Sequence, residues 1–180
     1  MKTMKNIYTK TGDAGTTAIR GGVRVDKDNL RIEVNGQTDH LNSLLGIVRS
    51  MLPKDCEAAA MIHDIQRELM TVMSHVATPE GEANPRRLGV ETLTERMERY
   101  IDTCRGAGGF TIAGESTLTA FIHAARTQAR TAERRMVSLA RTVKTDSRIL
   151  VFMNRLSDYL FALTVEYGAR NRDTESPEVK

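Results

Sequence analysis

Apolar residues recurring at helical spacing, broken by proline or by polar, glycine-rich gaps, constrain this chain more than any other feature. From about Arg31, residues Leu41, Leu45, Val48 and Leu52 fall three or four apart, Leu44 and Ile47 widen the stripe, and Pro53 closes it. A second stripe over residues 55–77 carries Ala58, Ile62, Ile65, Leu69, Val72, Met73 and Val76. A third helix starts at Gly89 or Val90 and lines Leu93, Met97, Tyr100 and Ile101 on one side. Residues 123–141 contain no Gly or Pro and are rich in strong helix formers. The fifth segment, 147–169, is apolar over most of its surface, with Ile149, Val151, Phe152, Leu156, Tyr159, Leu160, Leu163 and Val165. The pattern predicts one all-α domain over 1–180, a five-helix bundle. An irregular arm (1–30) precedes the helical body (31–170), and a charged, flexible tail (171–180) follows.

The gaps carry their own expectations. Residues 78–88, TPEGEANPRRL, are turn-rich and read as a mobile loop. Three glycines within 105–109 end the third helix. Residues 110–112 read as a short extended piece, and Ser116 or Thr117 can cap the fourth helix. The polar side of the third helix (Glu91, Glu95, Arg96, Glu98, Arg99) reads as a solvated face. His63 and His75 lie without an HExxH pattern and read as structural or exposed. Cys56 and Cys104 are far apart and lack metal-ligand spacing, so reduced thiols in a cytoplasmic protein are expected. No apolar leader opens the chain, and the apolar run 149–153 is too short to span a bilayer. Aromatics are 4% and Trp is absent, which argues against base stacking as the main business and so against a nucleic-acid partner.

Charge is concentrated in two places. Five arginines against one glutamate give residues 123–141 a charge of +4, more than the +3 of the whole chain. Arg126, Arg130 and Arg134 recur every four residues and so stack on one helical face, with Glu133 beside Arg130. Such a ladder is either a solvated face or a row of permanently charged forks suited to phosphate oxygens. The second place is the N-terminal arm, TKTGDAGTT followed by RGGVRVDKD. Its glycines (Gly12, Gly15, Gly21, Gly22), threonines (Thr9, Thr11, Thr16, Thr17) and lysines (Lys10, Lys27) suit a loop that wraps phosphates. It is not a Walker A loop, and by itself it also reads as a polar arm. In the fifth segment Asn154, Arg155 and Asp158 interrupt an apolar surface, as a buried network or as part of a site.

Three segments together, TKTGDAGTT with GGVRVDKD, RTQARTAERR in the fourth helix and FMNRLSDYLF in the fifth, resemble the PduO-type ATP:cob(I)alamin adenosyltransferases. The order and spacing agree from about Ile7 to Ala169. The resemblance implies a homotrimer of five-helix bundles that moves the 5′-deoxyadenosyl group of ATP to cobalt(I) of cobalamin, releasing triphosphate, with Mg²⁺. ATP would lie between subunits, surrounded by Thr9, Lys10, Thr11, Gly12, Thr17, Ala18 and Lys27 of the arm. Arg130, Glu133, Arg134 and Asn154 would complete that site. Asp39 would pair with Arg126 across the subunit interface, and Asp39, Arg126 and Arg130 form the implied catalytic set. Phe110 would pack against the corrin near cobalt and help exclude water or a lower axial ligand. The metal ligands are not identified by the resemblance. A cobalamin reductase and an adenosylcobalamin-dependent enzyme are its further implied partners.

The absence of a triad or metal cluster fits such chemistry, because the attacking nucleophile belongs to the cobalamin. The protein has to align the reactants and stabilise negative charge growing on the triphosphate. Three positions depart from the family pattern. Thr131 stands where many relatives carry a second Arg, Glu115 lies where many have a Pro-Gly-Gly turn, and His40 replaces a common Glu. Thr131 and Glu115 keep open a non-catalytic ATP- or cobalamin-binding bundle, a sensor or carrier. A basic RNA-binding helical module is the other alternative; it predicts steep salt dependence and no ATP specificity.

Overall fold

The computed structural model describes residue 8 and residues 10–104 and 112–175, with side chains of the last helix described through 169. The expectations placed on Thr9 and Phe110 lie outside the described residues.

Five helices follow in order: α1 (Leu30–Met51), α2 (Glu57–Val76), α3 (Val90–Thr103), α4 (Thr117–Ala140) and α5 (Ser147–Glu175). Local chemistry sets the ends of α1 and the start of α4. Asn29 caps α1 by accepting from the Arg31 N–H at 3.0 Å. Ser116 caps α4 in a reciprocal box with Thr119, the Thr119 N–H donating to Ser116 Oγ at 3.2 Å and the Ser116 N–H to Thr119 Oγ1 at 3.0 Å. Pro53 follows the end of α1 closely, where it cannot continue the helix.

α1 packs between α2 and α4, and α5 between α4 and α3. The periodic stripes meet in one core that includes Leu41, Leu45, Ile62, Ile65, Leu69, Met97, Ile122, Met136, Phe152 and Leu160, all fully buried. Burial of side chains this size contributes about 1.5–3 kcal/mol each, which is why the bundle forms around these positions. Glu33 meets Arg135 and Gln37 meets Gln128, so α1 and α4 run antiparallel. No described helix is long and apolar enough to cross a membrane.

Four expectations change. The arm is not wholly irregular: β1 (Thr16–Ala18) pairs antiparallel with β2 (Arg24–Asp26), in the register Thr16↔Asp26, Thr17↔Val25 and Ala18↔Arg24. A 3₁₀ turn at Arg20–Gly22 joins them, with Gly21 at φ 74° and Gly22 at φ 79°, conformations that glycine adopts without strain. The tail is helical as far as Glu175, because no proline occurs before Pro177 and Arg and Glu favour helix. Residues 78–88, expected to be mobile, are tied down. Arg31 Nη1 donates to the carbonyls of Val76 (2.6 Å) and Thr78 (2.9 Å), and Asn84 Nδ2 to the hydroxyls of Ser74 and Thr78. The polar side of α3 is not simply solvated. Arg96 pairs with Asp64 of α2, Glu98 with Arg155 of α5, and Glu91 with Arg148 of α5. Ion pairs form there because α3 packs directly against α5.

Candidate active site

α4 presents its arginines toward two neighbours and toward solvent. Gln128 turns to α1, donating to Gln37 Oε1 at 2.8 Å and to the Gln37 carbonyl at 2.9 Å. Two residues back, Arg126 turns to α5, where its guanidinium carbon lies 6.0 Å from the centroid of Phe161. Its Nε is buried and has no hydrogen-bond partner among the described residues. A buried, unpaired guanidinium N–H is costly, which marks Arg126 as strained on energetic grounds.

Arg130 and Arg134 are exposed. Arg130 makes no hydrogen bond or ion pair among the described residues, and Arg134 Nη2 reaches only the neutral Thr131 Oγ1 at 3.1 Å. Thr131 therefore does more than remove a charge. It offers Arg134 an oxygen on the side of α4 away from Glu133.

Glu133 faces α5 and accepts from Asn154 Nδ2 at 2.8 Å. This bond separates the three polar residues of α5. Arg155 and Asp158 form the structural network, with Arg155 Nε donating to Glu98 at 2.9 Å and Nη1 to Asp158 at 2.8 Å. Glu98 first, and Asp158 after it, hold the Arg155 guanidinium in its charged form. Asn154 is exposed and belongs to the arginine face instead. The result is a polar surface on α4 and α5 with two permanent cations, one carboxylate already bonded to an amide, and one amide.

Glu115, the departure just before α4, also finds a place. The Glu115 carboxylate lies against Gly168 of α5, where a methyl group on the glycine would stand 3.1 Å from Oε2. His123 is buried, and burial holds its pKa below the ordinary 6.5; the charge of Arg126 lowers it further and Glu115 opposes both. His75 bonds through Nε2 to the Arg86 carbonyl at 2.8 Å, and His63 is exposed.

The arm forms a second, separate cluster. Lys10 adopts the left-handed conformation at φ 59°. The Lys27 ammonium lies above Gly12, 3.4 Å from where a methyl on that residue would sit. Thr11 and Lys27 are exposed; Gly12 is half-buried. Thr17 lies on one face of the ribbon with Val25, and Ala18 on the other with Arg24. No hydrogen bond or ion pair among the described residues joins this cluster to Arg130, Glu133, Arg134 or Asn154 of the same chain. Asp39 is exposed on α1 and its carboxylate has no ion pair among the described residues.

Two residues of these clusters escaped the sequence reading. Phe161 lies seven residues past Asn154, and that spacing, which puts both on one face of a helix, was the available signal. Arg24 stood inside a recognised segment, but its role depends on a ribbon whose strands are only three residues each.

A family model described as cobalamin adenosyltransferase matches residues 7–167. The corrinoid adenosyltransferase of Citrobacter freundii is 34% identical over 166 residues, covering 89% of this chain and 93% of that one. The corrinoid adenosyltransferase of Bacillus subtilis (strain 168) is 36% identical over 170 residues, covering 92% and 88%. A solved structure superposes with a TM-score of 0.85 at 31% identity, covering 93% of this chain and 96% of that one. It is a phenylalanine-to-alanine variant of the PduO-type ATP:corrinoid adenosyltransferase from Lactobacillus reuteri, complexed with cobalamin and ATP. With match, identity and fold all spanning nearly the whole chain, this protein belongs to the cobalamin adenosyltransferase family.

Proposed function

We propose that this chain transfers the 5′-deoxyadenosyl group of ATP to cob(I)alamin, giving adenosylcobalamin and triphosphate. The observation that carries the reading is the α4–α5 face, where Arg130 has no counter-anion among the described residues and Arg134 bonds only to a hydroxyl. Two such cations a turn apart suit the oxygens of a triphosphate. Cobalt is the nucleophile and the ribose C5′ its target; the bond that breaks is the one from C5′ to the triphosphate oxygen. No protein base is needed. Arg130 and Arg134 would stabilise charge as it accumulates on the leaving triphosphate, and the Asn154–Glu133 bond fixes one edge of their site.

Among the described residues no group of three or more His, Cys, Asp or Glu side chains is arranged to hold a metal ion. A Mg²⁺ would enter with ATP as its counter-ion, as Mg²⁺ commonly does with substrate phosphates. It would neutralise part of the triphosphate charge.

We further infer that the working unit is a homotrimer with ATP between subunits. Because Gln37 meets Gln128 on antiparallel helices, Asp39 stands level with Arg126 along the bundle. Asp39 is nevertheless exposed on α1, whereas Arg126 lies against α5. A second copy docked at the same height would bring the carboxylate of one chain toward the Arg126 guanidinium of the other. It would also join the two separate ATP clusters, arm to arginine face. As the resemblance implies, Phe110 would pack against the corrin and Thr9 would lie beside ATP.

The test is an anaerobic assay with ATP, Mg²⁺ and chemically reduced cob(I)alamin, following Co(I) absorption and triphosphate together. Stoichiometric loss of Co(I) with triphosphate formed is expected. ATP binding without turnover would point to a carrier instead. For the assembly, sedimentation should give three copies, and the Asp39→Arg and Arg126→Asp variants should each lose activity that an equimolar mixture partly regains.

A further inference from the structure

The ATP arm contains a fixture that none of its implied nucleotide contacts explains. Arg24 extends its guanidinium across the ribbon: Nη2 donates to the Thr11 carbonyl at 2.6 Å, and Nε donates to Thr16 Oγ1 at 3.1 Å. The register makes this possible. Ala18 faces Arg24 and Thr16 faces Asp26, so Thr16 is the diagonal neighbour of Arg24 on the same face of the ribbon.

The segment so held is the one that contains the proposed phosphate contacts. The Lys27 N–H donates to the Gly15 carbonyl at 2.9 Å, closing the loop from its far side, and the Gly15 N–H reaches the Gly12 carbonyl at 3.3 Å. Lys10 enters the loop at φ 59°, a left-handed conformation that costs a non-glycine residue free energy. Such a conformation persists only where the surroundings over-determine it. Here they are the Asp13 N–H on the Lys10 carbonyl at 3.3 Å and the Arg24 fork on the next residue, Thr11.

We propose that Arg24 is a positioning residue that sets loop 10–16 in its nucleotide-receptive shape before ATP arrives. It acts through the loop and need not touch ATP. The role calls for arginine: a planar fork bonds a carbonyl and a hydroxyl at once, whereas a lysine ammonium is a point charge on a flexible stem. A preset loop spares ATP the ordering that a floppy glycine-rich arm would require on binding. This rests on the reading of the arm as the ATP loop.

The experiment measures amide exchange of the ATP-free protein, together with ATP affinity by calorimetry and the steady-state constants for ATP. It compares the unsubstituted protein with Arg24→Ala, Arg24→Lys and Thr16→Val. In Arg24→Ala, exchange at Gly15 and Lys27 should quicken about tenfold or more while the α1–α5 core amides keep their protection. ATP affinity should fall about tenfold, with KM for ATP rising by more than kcat falls. Thr16→Val keeps the bond to Thr11 and should show a smaller change in the same direction. Unaltered exchange in Arg24→Ala, a loss confined to kcat, or full recovery by Arg24→Lys would each overturn the proposal. If the unsubstituted protein bound no ATP, the functional reading itself would fall. If it bound ATP while Arg24→Ala bound equally well, only the clamp would.

Discussion

α3 and α4 both expose a dense charged face, and in composition the two look alike. Their surroundings differ. On α3, Arg96 meets Asp64, Glu98 meets Arg155 and Glu91 meets Arg148, so its charges are spent joining neighbouring helices. On α4, Arg130 meets no anion among the described residues and Arg134 finds only Thr131. A charged helix face becomes a candidate site when the fold withholds the counter-ion. Half-exposed pairs such as those of α3 contribute modestly to stability. An uncompensated pair of guanidiniums contributes little to the fold but is ready for an anion that grows in charge during a reaction.

The largest expected effect is on the α4 side of this contrast. Arg130→Ala should lower kcat/KM by about a hundredfold or more, the roughly 3 kcal/mol that a charge-assisted bond to a leaving group supplies. Its melting temperature should stay close to that of the unsubstituted protein. If turnover survives intact, Arg130 is a solvated residue and the contrast is false.

Asn154→Ala should cost less, roughly tenfold in kcat/KM, consistent with one hydrogen bond of about 1 kcal/mol and a Glu133 left to swing. The same assay resolves it from Arg130→Ala. A loss of stability without a loss of activity would move Asn154 into the structural network of Arg155.

On the α3 side the readouts invert. Arg155→Met should lower unfolding free energy by about 1 kcal/mol, since it abandons Glu98 and Asp158 at a half-exposed position. Activity should change by less than about twofold. Urea denaturation and the turnover assay on one preparation would settle both.

The smallest effect is a pH dependence beside Arg126. Burial, then Arg126, holds the His123 pKa below its ordinary 6.5. The unfolded chain therefore binds the proton first. This residue's contribution to stability is whole above 6.5 and declines as pH falls from there through the depressed folded value. His123→Gln should flatten that part of the curve, measured as the urea midpoint between about pH 5 and 8. An unchanged slope would show that other groups carry it.

The sequence alone determined the five helices, because apolar side chains at helical spacing have only one way to be buried together. Pro53 and the Ser116 cap marked limits for equally local reasons. It also marked the arginine stripe and, through three segments in order, the family. Backbone and side-chain chemistry at short range carries such information. Which charges meet partners is a long-range matter. Glu98 and Arg155 are 57 residues apart, and nothing local distinguishes them from Glu133 and Arg130. Only packing of α3 against α5 neutralised one face, and only the placement of α4 left the other open. The ribbon of the arm was illegible for the same reason: two strands of three residues have too little pattern to announce a register. That register alone makes Thr16 the diagonal neighbour of Arg24. Tertiary structure decided which charges go without partners because electrostatic compensation depends on distance in space, which the order of residues does not contain.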